Sequence, residues 1–453
     1  MRVANDGTLQ SVGGLDIGVG TGGFANAGTT YAAGNLALHS RSTGGYTADV
    51  GGLLESGGAL SITGNGTSVL NVADGGTVVG DTLSASLTRI ALAGGTRGGT
   101  LSSAGNMTVS VGSLTLADGK SAVIGSKDSA RLGITTLNVG GALVNNGLLF
   151  SGNDLAVNAP SIVNSTDGTS GGIAALRNAT VRATTGDLTN RGALYAGHTL
   201  TASASAGTLT NVATAAGFQG TIDAGAQVDL QAATLVNHST IHSEGGISIA
   251  ATTFRNEVPG GDTRRMGTES ARTAGATSYT KESGHTESGR GAGDYEVWRT
   301  PTTWSNDQEY ASAMPANKPQ VIGNGLVDVR FTSGSNLRGT ISGGTVTLTG
   351  VGTGATFVND DLALKHFAYT QVSEHQIYWA GLADAAFKYR DDNVTGAVTT
   401  VTTSNAVGGA GIFAGTLNGS NFALTNNGAT QPVSAAKAGA AVGTAAAAAP
   451  TRS

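Results

Sequence analysis

The sequence predicts an all-β chain, a right-handed parallel β-helix (a solenoid) with extruded insertions. Three observations carry that expectation. Strand-sized apolar runs of three to five residues alternate with period two and are broken by Gly, Asn or Asp. An asparagine closes one such run again and again. The triplets LVN, IVN, LTN, LTN, LVN and FRN place Asn145, Asn164, Asn190, Asn211, Asn237 and Asn256 at steps of 19, 26, 21, 26 and 19 residues. Finally, Gly is 72 of 453 residues and Thr and Val dominate the runs, so nothing sustains a helical period over two turns.

One repeat has simple physics. Its strands are too short to bury a core alone, but copies stacked at about 4.8 Å bury a continuous apolar column. Gly and Asn tolerate the left-handed backbone of a sharp corner. Asparagines in register from coil to coil also suit an amide ladder. The six asparagines are therefore read as corner and ladder residues. A second motif, small residue then Gly then alternating apolar positions, recurs as SGNDLAV (151–157), AGHTLTA (196–202) and AGAQVDL (224–230). At about 22 residues per coil, the stack would hold roughly 14 to 17 coils and be on the order of 70–80 Å long.

Each segment follows from its pattern. Residues 1–257 read as stacked coils, with looser periods before 141. Residues 258–318 form a polar insertion: between 254 and 320 stand nine acidic and eight basic residues, and no apolar period survives to about 292. Residues 294–310 alternate aromatic and polar, which predicts an extruded β-hairpin. Coils resume at 319–361. A second, aromatic-rich insertion spans 362–395 and includes a short helix near 380–389. Coils return at 396–435, and 436–453 is a low-complexity, disordered tail.

Composition narrows the chemistry. Charged residues are 12% and the net charge is −5, so no electrostatic footprint for nucleic acid is present. Cysteine is absent, which excludes disulfides and Cys-based metal sites. The stretch GVGTGG (18–23) fits a dinucleotide motif only by its glycine content, and no helix follows it. LADGKS (116–121) ends like a phosphate loop, but Leu114 stands where its first Gly belongs. His238 and His242 lack a third ligand nearby, as do His366 and His375. Asp360–Asp361 and Asp391–Asp392 read as solvated loops. The acidic and basic residues between 141 and 257 are scattered over different repeat positions, so no catalytic constellation converges. No cofactor, metal or enzymatic activity is expected.

The aromatic residues are the informative anomaly. All three Trp, and six of the nine Tyr, lie between 279 and 389, in or beside the two insertions. Tyr295, Trp298, Trp304, Tyr310, Tyr378 and Trp379 are the candidate partner-contact residues. The competing reading is that these rings brace the insertions internally.

The coil pattern of GALVNNGLLFSGNDLAVNAPSIVN (141–164) and TIDAGAQVDLQAATLVNHSTIHSEGGISIAATTFRNE (221–257) resembles that of filamentous haemagglutinin and related large exoproteins of two-partner secretion. That family includes adhesins and contact-dependent growth-inhibition proteins. The order WRTPTTW (298–304), NKPQVIGNGLVDV (317–329), RGTISGGTVTLTG (338–350) is similar to the family's polar interruption, Lys-Pro segment and restart. The match covers roughly 141–361. It implies an extracellular or cell-surface adhesin that contacts a receptor or glycan on a host cell or neighbouring bacterium. It also implies an outer-membrane transporter as partner. The chain has no Asn-Pro-Asn-Gly motif, and MRVANDGTLQSVGG is no secretory signal, so a piece of a larger protein is expected. An inert shaft and a polysaccharide-active enzyme are the alternatives.

Overall fold

The computed structural model describes residues 2–117, 123–126, 133–166, 171–213, 220–259, 264–285, 293–310, 318–360, 364–380, 387–403 and 410–426. The chain divides into two units, one built from 1–261, 314–361 and 409–453, the other from 262–313 and 362–408. Every described regular element is a strand.

The first unit is a parallel β-helix. Val3–Asn5, Thr8–Ser11 and Leu15–Val19 form its first coil. Each pairs in parallel with its counterpart one coil later: Phe24–Asn26, Thr29–Ala32 and Leu36–Ser40. The same pairing recurs through the unit, so three parallel ladders run along it. The looser period before 141 leaves the ladders continuous from the first coil.

Alternation sets which side chains go inward. Ile162–Asn164 buries its first and third residues, and Leu155–Ala159 its first, third and fifth. Down the second ladder, register brings Leu54, Val78, Leu101, Ile124, Leu149 and Ile173 into one inward row. All six are at most 1% exposed. Each such burial is worth about 1.5–3 kcal/mol, which is how strands this short are held. In the last coils the column widens into an aromatic cluster, with Phe331 and Phe357 at 5.1 Å and Phe331 and Phe422 at 5.3 Å between ring centroids.

Left-handed backbone is found at described glycines such as Gly23, Gly45 and Gly171, as expected, but not at the predicted asparagines. The only described non-glycine residues with positive φ are Ser165, Arg338 and Asn421. The six predicted asparagines stand at or, for Asn256, one residue before the end of first-ladder strands, with ordinary backbone, and point inward, fully buried. Gly197 has no positive φ either; a Cβ there would lie 2.0 Å from the Leu176 carbonyl of the coil before. Gly225 is held the same way, 2.1 Å from the Gly197 carbonyl. Close approach of stacked corners, rather than left-handed backbone, demands glycine at these two positions.

The second unit is an antiparallel sheet. Gly293–Tyr310 and Lys365–Ala380 are its two long central strands, paired from Tyr295 opposite Tyr378 to Asp307 opposite His366. Arg264–Met266, Thr273–Ala274 and Ser278–His285 pair with the outer side of Gly293–Tyr310. Phe387–Val394 and Val398–Thr403 pair with the outer side of Lys365–Ala380. Parallel coil pairing resumes at Gly411–Ser420. The helix expected near 380–389 is absent from the described part: Ala380 ends one strand, Phe387 begins the next, and 381–386 lie outside the described residues. Cross-strand pairing of 387–394 with 373–380 takes the backbone groups that a helix would have used.

Candidate functional site

Two features stand out, an amide ladder in the first unit and an aromatic sheet in the second. The ladder is structural, and it bears on the sheet through the chain's course. Asn145 donates to Asn164 Oδ1 at 2.8 Å, Asn164 to Asn190 at 2.8 Å, and Asn190 to Asn211 at 2.9 Å. The series continues through Asn237, Asn256, Asn336, Asn359 and Asn426. Each amide from Asn145 to Asn336 also donates to the carbonyl that opens the second-ladder strand one coil on. Asn211 Nδ2 reaches the Thr240 oxygen at 3.0 Å, for example.

Both insertions that make the second unit leave the coils just past this ladder, after Asn256 and after Asn359. The ladder grips the strands that return. Asn237 Nδ2 donates to the Gln320 carbonyl, 83 residues away, and Asn336 Nδ2 to that of Gly411, 75 residues away. Register is thereby fixed on both sides of a long excursion.

Four coils lack the asparagine. Val50, Val72, Leu92 and Leu116 occupy its register position between Asn26 and Asn145. Outside this corner lies a shallow groove of about 510 Å³, bordered by Ala27, Gly51, Ala73, Ala93 and Ala117.

The sheet of the second unit collects the aromatic residues. Trp298 lies between Tyr279 and His375, with ring centroids at 5.3 and 5.6 Å. These three rings stand on three neighbouring strands in direct register. Tyr279 is 52% exposed, and its hydroxyl donates to Glu296 Oε1 at 3.2 Å. His375 Nδ1 bonds Asp392 Oδ1 at 2.5 Å. Further along, Trp304 stacks on Tyr369 at 5.3 Å with 12° between planes, and the Arg272 guanidinium sits 4.2 Å over the indole. Stacking and the cation cover leave Trp304 only 8% exposed. Tyr295 lies opposite Tyr378, Trp379 opposite Lys388, and Tyr310 opposite Arg264 in register.

Charge fixes the two insertions to one another. Arg299 Nη1 donates to Glu282 Oε1 and Nε to Glu374 Oε2, each at 2.6 Å. The hydrogen bonds from Glu282 and then Glu374 push the guanidinium pKa still further up, so it stays charged throughout the accessible pH range. A hydrogen bond between His366 Nδ1 and Asp307 Oδ1 at 2.7 Å also joins the central strands.

Sequence reasoning reached Trp298 and Trp304 but missed Tyr279, Tyr369, His375 and the Arg299 cluster. Their signal lies in strand pairing between segments some 75 residues apart. It also missed Asn336, because Gly334 replaces the apolar residue of the triplet. A Cβ at Gly334 would meet the Phe357 ring at 2.4 Å, so glycine makes room for the phenylalanine cluster.

The histidine pairs are apart in function. His238 Nδ1 donates to the Glu257 carbonyl at 2.7 Å, while His242 Nδ1 bonds Asp223 Oδ1 at 2.7 Å. Among the described residues, no group of three or more His, Asp or Glu side chains could hold a metal ion.

No family model, curated protein or solved structure matches the chain.

Proposed function

We propose that the chain is a segment of a bacterial surface-exposed or secreted adhesin of the filamentous haemagglutinin type. In this reading the parallel β-helix is the shaft and the antiparallel sheet is the contact surface. A receptor or glycan on a host cell or a neighbouring bacterium is the partner, and an outer-membrane transporter of the two-partner type exports the parent protein. The observation that carries the reading is the Tyr279–Trp298–His375 row, a line of rings on one face with Tyr279 half exposed. Aromatic rings beside paired charges are the usual anchors of recognition surfaces.

The test is a binding titration. Labelled full-length chain is titrated onto erythrocytes, epithelial cells and bacterial cells, beside a Tyr279→Ala/Trp298→Ala variant of unchanged circular dichroism. Saturable binding to one cell type, weakened about tenfold or more in the variant, is expected; that is about 1.4 kcal/mol, in the range of a hot-spot residue. Absence of binding to every cell type would discard the adhesive reading and leave an inert shaft. The covered state of Trp304, held between Tyr369 and Arg272, favours that second reading for its own part of the sheet.

A further inference from the structure

The two edges of the antiparallel sheet are built unequally. The edge made by 264–285 is guarded by charge. Ser278–His285 carries Lys281 and Glu282, and Arg265 of Arg264–Met266 pairs with Glu309 at 3.1 Å. Charges of this kind on an edge strand repel or mispair an incoming strand. On the opposite edge, Phe387–Val394 carries Lys388, Arg390, Asp391 and Asp392 in its sequence. Val398–Thr403 differs from all of these. Its sequence is VTTVTT, without charge or proline and rich in β-branched residues. Residues 398–402 are exposed, Val398 at 68% and Val401 at 50%. Among the described residues it pairs on one side only, with 365–370.

We propose that Val398–Thr403 is a self-association edge that pairs antiparallel with the same strand of a second copy of this chain. The argument for a second copy is chemical self-compatibility. A strand without charge brings no like charges together when it meets itself, and every other described strand on the two edges except the two-residue Thr273–Ala274 carries charge. Antiparallel self-pairing runs about a twofold axis perpendicular to the sheet, so one residue lies opposite its own copy. In a six-residue strand of about 20 Å, Thr400 or Val401 takes that central place. Valine and threonine side chains then meet across the junction, pairs that strands favour. An interface this small makes the dimer weak and concentration-dependent. The inference does not depend on the adhesive reading.

The chain has no cysteine, so one introduced thiol is unique. Thr400→Cys and Val401→Cys chains are oxidised mildly at high concentration, beside Ser278→Cys on the charged edge. Unsubstituted chain and Val401→Lys are followed by sedimentation velocity from micromolar to near-millimolar concentration. The expected result is a disulfide-linked dimer from Thr400→Cys or Val401→Cys and none from Ser278→Cys. Sedimentation should reveal a reversible dimer that Val401→Lys weakens at least tenfold. A monomer at every concentration overturns the proposal. So does a dimer that Val401→Lys leaves intact, or equal crosslinking at Ser278→Cys.

Discussion

Asn211 shows what a single corner residue does. Its Oδ1 accepts from Asn190 at 2.9 Å, and its Nδ2 donates to Asn237 and to the Thr240 carbonyl. It is fully buried, so nothing else can replace these partners. Asn211→Ala therefore takes the acceptor from one Asn190 Nδ2 hydrogen and the side-chain donor from the Thr240 carbonyl, and leaves Asn237 Oδ1 with the Ser239 amide alone. A loss of about 3 kcal/mol is expected, since each buried group left unpaired costs roughly 1–3 kcal/mol. A chemical-denaturation midpoint measures it; a change within error of an exposed Thr→Ala control would show that the ladder is not stabilising. Tyr46 gives a second residue-scale prediction. It is 3% exposed, its hydroxyl donates to the Thr63 carbonyl at 3.2 Å, and burial pushes its pKa upward. The neutral phenol is the form that the fold accepts. Its contribution is complete below the unfolded value near 10 and is lost as pH rises toward the folded one. Stability should decline above about pH 10, and Tyr46→Phe should flatten that decline. An identical alkaline profile in the variant would assign the loss to other groups.

At the scale of the element, the coil strands were legible and the central sheet was not. Period-two alternation and the Φ-x-Asn triplets are local signals, each contained in one run such as LTN at 188–190. They mark first-ladder strands because the same residue must both end a strand and face inward. The sheet depends instead on a pairing between 295–307 and 366–378, which a single run cannot encode. The alternation in 294–310 indicated a strand, but it could not say that its neighbour came from a second insertion. Most of the helix expected near 380–389 lies at 381–386, outside the described residues; its described end, from 387, is strand because 387–394 is needed as the partner of 373–380. Trp304 tests the element itself. Removing a ring that is 8% exposed and stacked on Tyr369 should cost the second unit about 3–5 kcal/mol in Trp304→Ala. Tryptophan emission from Trp298 and Trp379 reports its unfolding. Unchanged stability of that unit would mean that the stack does not brace the sheet.

For the whole molecule, the parallel β-helix keeps its register while the chain twice leaves it to build another fold. Stacked coils are stabilised by nearest neighbours, so an excursion is tolerated where the flanking coils still pair. The asparagine ladder supplies that continuity, crossing the first departure from Asn256 to Asn336 and the second from Asn359 to Asn426. The returning strands pair as if nothing intervened: Gln320 meets Thr240, and Gly411 meets Thr340. The two excursions then supply one sheet between them, and the proposed contact surface exists only if they do. Amide hydrogen exchange on the full chain tests this most directly. The account predicts that 295–307 and 366–378 are protected to the same degree and lose protection together in Trp304→Ala, while 209–211 and 235–237 stay protected. Protection of one stretch without the other, or a response to Trp304→Ala confined to 295–307, would contradict a single sheet.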